Sequence, residues 1–424
     1  MRFDLPVLLY GAGREARSTR AFLKARAPTT RVFVTVDSGV ADIEDAELIQ
    51  PVDLNAAIAG QRFGTIVKSP GVSRYRPIFA VAREAGIAVT SNLNLWGETF
   101  RDGRTVIAIT GTKGKSTTAT LAHLMLVESG IDAGLAGNVG LAPLEIADKH
   151  RVVVFELSSY QTADMAFAPD IAAVTNLSPE HTDWHRDVEH YYADKLNLID
   201  RDAPIAVALG AGARSHPLVL AAVRDRSRLI PPLAPFIADR IGNAVKRSRL
   251  KGSHNLDNAL LAAQVAMKAG ADLEAVIRGI NAFTPLPHRL EEHEVGGKVF
   301  VDDSISTTPE ATKAALSAYE GTRIALLAGG HERQQDYAEL ASLLGPRGVA
   351  VLVCLPVTGD RLATATYRAA PQIEVVEAAT LDAAMQALAA RREKFDTVVL
   401  SPGAPSYGQL ESPGKVFRNF EERG

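Results

Sequence analysis

Three successive α/β units, each built on a mostly parallel sheet, are what this sequence predicts. Short apolar runs alternate with helical stretches along the whole chain, and several runs break into polar, glycine-bearing loops. Strands that feed polar loops belong to parallel sheets, whose ligands sit at the strands' carboxyl ends. At 424 residues the chain also exceeds one ordinary hydrophobic core, so two or three domains are expected. The pattern divides it into residues 1–91, 92–285 and 286–424.

The first unit reads as Rossmann-like. Its strands are predicted at Pro6–Tyr10, Arg31–Val36, Thr65–Lys68 and Ile87–Thr90. Gly11-Ala-Gly-Arg-Glu follows the first strand and leads into a helix carrying Ala21, Phe22 and Leu23; Asp37-Ser38 follows the second. That is a nucleotide-type βαβ unit, with Asp37 where a ribose would sit. Ala16 replaces the third glycine of GxGxxG, which weakens a dinucleotide fingerprint and favours a simple tight turn. Lys68-Ser-Pro-Gly-Val-Ser73 is a second glycine turn after an apolar strand.

The second unit reads as P-loop ATPase-like around a parallel sheet. The apolar run Val106–Ile109 breaks into Thr110-Gly-Thr-Lys-Gly-Lys-Ser-Thr117, and helical apolar spacing follows at Leu121, Leu124 and Met125. Gly111 and Gly114 let backbone N–H groups approach phosphate oxygens, and the helix N-terminus adds a positive dipole. Lys115 offers charge to β/γ-phosphates and Ser116 a hydroxyl to Mg²⁺. Gly111 precedes Gly114-Lys115 by only three positions, shorter than the common GxxxxGK[ST] loop. Gly137-Asn-Val-Gly140 comes next. The strand Val152–Leu157 then leads to Ser158-Ser-Tyr-Gln161, and the strand Ile171–Thr175 to Asn176 and His181-Thr-Asp183. Residues 231–248 give a weak, mixed pattern read as a peripheral hairpin or loop, before a helix at Leu260–Ala269.

The third unit, again Rossmann-like, has predicted strands at Lys298–Val301, Arg323–Ala328, Val349–Leu355, Glu374–Val376 and Thr397–Leu400, with a helix at Leu381–Arg392. Polar loops follow as Asp302-Asp-Ser, Gly329-Gly-His and Ser401-Pro-Gly-Ala. The only cysteine, Cys354, lies in an apolar strand, so it reads as a small core residue and no disulfide framework exists. A net charge of −3 gives no general attraction for nucleic acid or an anionic membrane. No apolar stretch reaches membrane-spanning length, and the start is too soon polar for a signal peptide. A cytoplasmic protein without nucleic-acid or membrane partners is expected.

Taken in order, GTKGKST, GNVG, ELSSYQ, N-x₄-H-x-D, HNxxNA, LPHRLE, DDS and LSPG-x-PS resemble the Mur ligases of peptidoglycan synthesis, in their glutamate-adding branch. The likeness covers essentially the whole chain. It implies a monomeric, ATP-dependent enzyme with two Mg²⁺ sites that activates the carboxylate of UDP-N-acetylmuramoyl-L-alanine as an acyl phosphate, then joins it to glutamate. ATP would fall to Gly111, Thr112, Lys113, Gly114, Lys115, Ser116 and Thr117, with Asn255 and Asn258 near adenine, Arg289 toward the γ-phosphate and Asp303 near the ribose. Asn255 and Asn258 also suit a helix N-cap. Ser116, Glu156, His181 and Lys195 would hold metal. Lys195 would do so as a carbamate, which requires a depressed amine pKa. Lys115, His181, Lys195 and Arg289 are the expected catalytic set, whereas His185 and His190 read as surface or loop histidines. Gly13, Arg14, Glu15, Ser38, Gly71, Asn138, Ser159 and Gln161 fall on the UDP-substrate side. Domains are expected to close over ATP.

The amino-acid pocket is where the pattern departs. Ile305 stands where the D-glutamate enzymes carry lysine, His331-Glu-Arg333 replaces another usual lysine, and an insertion separates Ser406-Tyr407 from Phe420. Arg333 offers a forked donor suited to a carboxylate. With Thr307, these residues suggest a differently posed amino acid, and the DDSISTTP wording resembles the ligases that add L-glutamate. D-glutamate is the alternative. A redox enzyme built on the first glycine turn, or a nucleotide switch without ligation, would leave most of these motifs idle.

Overall fold

The structure, a computed structural model, describes all residues except 1–2, 38–40, 181, 204, 251, 285–286, 407–408 and 413–414. Its strands are β1 (Val7–Tyr10), β2 (Val32–Thr35), β3 (Glu47–Leu48), β4 (Thr65–Lys68), β5 (Ala88–Thr90), β6 (Thr105–Thr110), β7 (Ala133–Gly137), β8 (Val152–Glu156), β9 (Ile171–Val174) and β10 (Ala206–Leu209). They continue as β11 (Glu291–Val295), β12 (Lys298–Asp302), β13 (Ile324–Ala328), β14 (Val349–Cys354), β15 (Glu374–Glu377) and β16 (Thr397–Leu400). A small antiparallel pair, Leu410–Ser412 with Lys415–Val416, lies near the end.

Three principal sheets result, ordered β3-β2-β1-β4-β5, β10-β9-β6-β8-β7 and β11-β12-β16-β13-β14-β15. The first two are parallel throughout, and in the third only β11 runs antiparallel to its neighbour. Val-Val-Val-Phe in β8 and Val-Ile-Ala-Ile in β6 are buried throughout, as continuous apolar runs in helix-covered parallel sheets must be.

The chain divides into two compact units, 1–248 with 254–283, and 249–253 with 284–424. In the first unit one continuous core joins the first sheet (Leu9, Val34, Val67) to the second (Val106, Phe155, Val174) through Leu93, Leu95 and Trp96. The outer face of the first sheet has its own cluster around Phe33, Ile66 and Phe79. The second unit has a core on each side of its sheet. Cys354 is buried there, and burial pushes its thiol up to about 12.

One local expectation is corrected. Pro235–Arg247 is a helix, not a hairpin or loop. Ile241, Ala244 and Val245 are buried on one face, a helical spacing that Gly242, Asn243 and the charged residues conceal in the sequence. The helix read at Leu260–Ala269 begins earlier, at Ser253.

Candidate active site

The phosphate turn springs from the carboxyl end of β6. Gly111 has φ +142° and Gly114 φ +81°; a Cβ on the first would collide with the Thr175 side chain and on the second with Asn258 Oδ1. Only glycine satisfies both demands. The loop is held from β9's side: Thr112 N–H donates to Asn176 O at 3.0 Å, Lys113 N–H to Asn176 Oδ1 at 2.9 Å, and Thr175 Oγ1 to Lys113 O at 2.6 Å. The Thr112 hydroxyl meets Tyr191 Oη at 2.9 Å. Lys115 Nζ donates back to Thr112 O at 2.9 Å, while Lys113 pairs with Glu180 at 2.7 Å. The helix Lys115–Glu128 takes Gly114 as its N-cap, which has no side chain to cap it. Gly279 of the helix Leu273–Ala282 permits close packing beneath it, since a Cβ there would lie 2.8 Å from Met125 N.

Asn258 therefore sits against the turn, accepting from Thr118 Oγ1 at 3.4 Å and donating to Asn255 Oδ1 at 3.0 Å. Both lie inside the helix Ser253–Lys268 rather than capping it.

Glu156, at the end of β8, is fully buried. Its Oε2 accepts from Asn138 Nδ2 at 3.2 Å and meets Ser116 Oγ at 3.5 Å, while Oε1 has no hydrogen-bond partner among the described residues. A buried carboxylate oxygen left without a donor costs free energy unless a cation meets it. With the Ser116 hydroxyl beside it, the donor set is the oxygen-rich kind that Mg²⁺ takes, so these residues fit the metal. Lys195, on the helix Val188–Leu196, is buried and donates from Nζ to Gly111 O at 2.7 Å. Burial, helped by the nearby Lys115 charge, pushes its amine well below the ordinary lysine range, toward the neutral form a carbamate requires.

A second site opens where the strand order of the first sheet reverses, between β1 and β4. A cavity of about 500 Å³ is lined by the turn from Gly11 to Glu15, by Asp37, by Ser69 to Val72, and by Asn138. Gly11 adopts φ +106°, and a Cβ there would strike Ser69, so the two turns close only over glycine. Arg14 reaches across to the carbonyls of Gly137 and Gly140, both at 2.6 Å. Asp37 is engaged by Tyr10 Oη at 2.7 Å and Arg76 at 2.6 Å. Glu15 is buried; Oε1 accepts from Gln161 Nε2 at 2.7 Å, and Oε2 has no partner among the described residues. Burial outweighs the Gln161 bond and pushes Glu15 up to about 7.

In the second unit, three loops meet at the carboxyl ends of β12, β16 and β13. Gly403 N–H donates to Ser306 O at 3.0 Å, Gly329 N–H to Pro402 O at 2.8 Å, and His331 N–H to Pro405 O at 2.7 Å. Asp303 is buried, accepts from Ser401 Oγ at 2.7 Å, and is pushed up to about 6 by burial against the pull of Ser306, Ser401 and Arg289. Thr307 is half-buried, Arg333 exposed and Ser406 buried on these loops. Phe420 is tied in by Ser304 Oγ on its carbonyl at 2.8 Å. Arg423 lies beneath, donating to Gln409 Oε1, Ser304 O and Ala404 O.

The structure thus gathers Gly111 to Thr117, Asn138, Glu156, Lys195 and Asn258 around the phosphate turn, and Gly13 to Glu15, Gly71 and Gln161 around the first-sheet cavity. Ser38, His181 and Tyr407 lie outside the described residues. One expectation is overturned: His185 is no surface histidine but fully buried, with Nδ1 2.7 Å from Asp194 Oδ2 and Nε2 2.9 Å from Ser159 Oγ. Its partners stand 9 and 26 residues away, spacings that announce nothing in a linear sequence. His190 does lie near the surface, bonded to Asp187.

Residues 109–213 match the Mur ligase middle domain, and residues 288–404 the Mur ligase glutamate ligase domain. The chain is similar to UDP-N-acetylmuramoyl-L-alanine–L-glutamate ligase of Xanthomonas oryzae pv. oryzae, 37% identical, over 98% of this chain and 94% of that one. It is also similar to UDP-N-acetylmuramoylalanine–D-glutamate ligase of Rubrobacter xylanophilus, 33% identical, over 85% and 82% of the two chains. Among solved structures, UDP-N-acetylmuramate-alanine ligase MurC from Thermotoga maritima shares the fold, with TM-score 0.59 at 16% identity, covering 95% of this chain and 96% of that one.

Proposed function

The chain belongs to the Mur ligase family, and on that premise we propose that it adds L-glutamate to UDP-N-acetylmuramoyl-L-alanine with consumption of ATP in peptidoglycan precursor synthesis. The observation that carries the chemistry is the buried carboxylate of Glu156 below the phosphate turn, with Oε2 facing Ser116 Oγ and Oε1 without a hydrogen-bond partner among the described residues.

Phosphoryl transfer needs positioning and positive charge more than a protein nucleophile. The substrate carboxylate attacks the γ-phosphorus and ADP departs. The amine of glutamate then attacks the acyl carbon, phosphate leaves, and the amine's proton is lost as the amide forms. Lys115 and the turn's amides hold the phosphate oxygens through charge and dipole. Ser116, Glu156, His181 and Lys195 would hold Mg²⁺ at two sites, which supplies charge neutralisation at the transferring phosphoryl group. For Lys195 to join them, its amine adds CO₂ and loses a proton, giving an anionic oxygen ligand; desolvation favours the neutral amine that this addition requires.

We assign residues 1–91 to the UDP substrate, 92–285 to ATP and 286–424 to the amino acid. The first-sheet cavity is the diphosphate cradle, with Ser38 placed there by resemblance alone. Arg289 and Asp303 also carry their ATP roles by resemblance, as do Thr307, Arg333, Ser406, Tyr407 and Phe420 for glutamate. A cytoplasmic monomer working on small molecules fits this reading; no helix among the described residues is long and apolar enough to cross a membrane.

The choice of L-glutamate rests on Ile305 and Arg333, which replace two lysines of the D-glutamate pattern, and agrees with the name of the Xanthomonas relative. Purified protein given ATP, Mg²⁺, UDP-N-acetylmuramoyl-L-alanine and one enantiomer at a time should release phosphate with L-glutamate. Turnover with D-glutamate alone would overturn the assignment.

A further inference from the structure

The buried histidine heads a chain of hydrogen bonds that the ligase reading leaves unused. Asp194 Oδ2 receives the Tyr75 hydroxyl at 2.9 Å and lies 2.7 Å from His185 Nδ1. A carboxylate accepts only, so Nδ1 carries the imidazole proton and donates it. In the neutral ring Nε2 is then bare and must accept, and the group facing it at 2.9 Å is Ser159 Oγ. With the imidazole neutral, the Ser159 hydrogen is committed inward, and its lone pairs are what the hydroxyl can offer elsewhere.

His185 is completely buried, with Trp184, Tyr191 and Tyr160 rings at 4.4, 5.3 and 5.5 Å from its own. The three rings and the Asp194 bond hold the imidazole in one orientation. The arrangement suits a hydroxyl locked in one orientation.

We propose that His185 is a positioning residue that makes Ser159 a hydrogen-bond acceptor for a donor-only group of the acid substrate, its amide N–H next to the carboxylate being activated. The proposal rests on the ligase reading. Ser159 stands at the start of the helix Ser159–Asp164, three residues after Glu156, where that carboxylate would lie. Ser158 already caps this helix, so Ser159 is not needed as a cap. Tyr75, from the first sheet's segment, donates to the same carboxylate and links the substrate-side module to this orientation.

The test is direct binding of UDP-N-acetylmuramoyl-L-alanine without ATP, plus steady-state kinetics, for the wild type, Ser159→Ala, His185→Asn, His185→Gln and the Ser159→Ala/His185→Asn double variant. Asparagine keeps a donor near the Nδ1 position but has nothing at Nε2, whereas the glutamine amide reaches the Nε2 position. Ser159→Ala and His185→Asn should each raise Kd and KM for the acid roughly tenfold, with kcat and the KM for ATP within about twofold. The double variant should be no worse than Ser159→Ala, and His185→Gln should recover most of the loss. Unchanged acid binding in Ser159→Ala, additive losses, or a loss confined to kcat would each overturn the proposal. If His185→Asn does not fold, His185→Gln decides: acid binding near that of the wild type supports the proposal, and a loss equal to that of Ser159→Ala overturns it. Wild-type protein that binds no UDP-acid would overturn the ligase reading instead, a result distinct from failure of the serine's role.

Discussion

The two glycine turns of the first unit begin from the same local physics and differ in what is buried beside them. Each follows a parallel strand, takes positive φ at glycine, and opens a helix whose N-cap is a glycine. Beside the first turn lies Glu15, pushed up to about 7; beside the phosphate turn lies Lys195, pushed far down. Desolvation is the cause in both cases and favours the uncharged form of each, so one acid is held toward protonation and one amine toward neutrality. The long cations differ too. Arg14 leaves its turn to bridge to the Gly137 and Gly140 carbonyls, whereas Lys115 stays folded over its own loop. On the proposed function, one turn binds and aligns and the other carries charge through the reaction.

The sharpest way to break that contrast is to remove both cations. Lys115→Ala should lower turnover by about a thousandfold at saturating substrates while the thermal midpoint stays near that of the wild type. Arg14→Ala should keep turnover and raise KM for the UDP-acid roughly tenfold. Equal losses of turnover would show that the turns do not divide the work.

Lys195→Ala should cost more than about a hundredfold in turnover, partly restored by added acetate as a substitute carboxylate. Near-normal turnover without any addition would remove the carbamate role.

A smaller effect concerns Glu15. Below pH 4.5, its ordinary value, the acid is protonated folded or unfolded; between there and about 7 only the folded chain keeps the proton. Stability from this group is therefore full at low pH and is lost as pH rises through that window. Urea unfolding at pH 5 and pH 8 should show Glu15→Gln losing less stability than the wild type, by about 2 kcal/mol. Parallel curves for the two proteins would mean that the acid is not held protonated.

Much of this was legible in the linear chain. Runs such as Val152–Glu156 and Val349–Cys354 are valine-rich and almost wholly apolar, so buried parallel strands could be read directly. The phosphate turn was equally plain because glycine and lysine there serve a local geometry. Strands β7, Ala-Gly-Leu-Ala-Gly, and β10, Ala-Val-Ala-Leu, escaped because alanine and glycine carry little strand preference and owe their state to neighbours. Glu156 and Lys195 came from resemblance, since burial of a charged residue is a tertiary fact. His185 escaped for the same reason: Ser159 and Asp194 meet it only after folding.

Of the two tryptophans, Trp96 is sealed in the core against Phe155, 4.8 Å between ring centres. Trp184 instead gives its indole N–H to the Pro70 and Gly71 carbonyls, in the very wall of the first-sheet cavity, with the Lys68 ammonium 5.3 Å from its ring. That placement gives the protein its own optical gauge: emission from Trp184 should shift when a ligand fills that cavity, while that from Trp96 should stay constant.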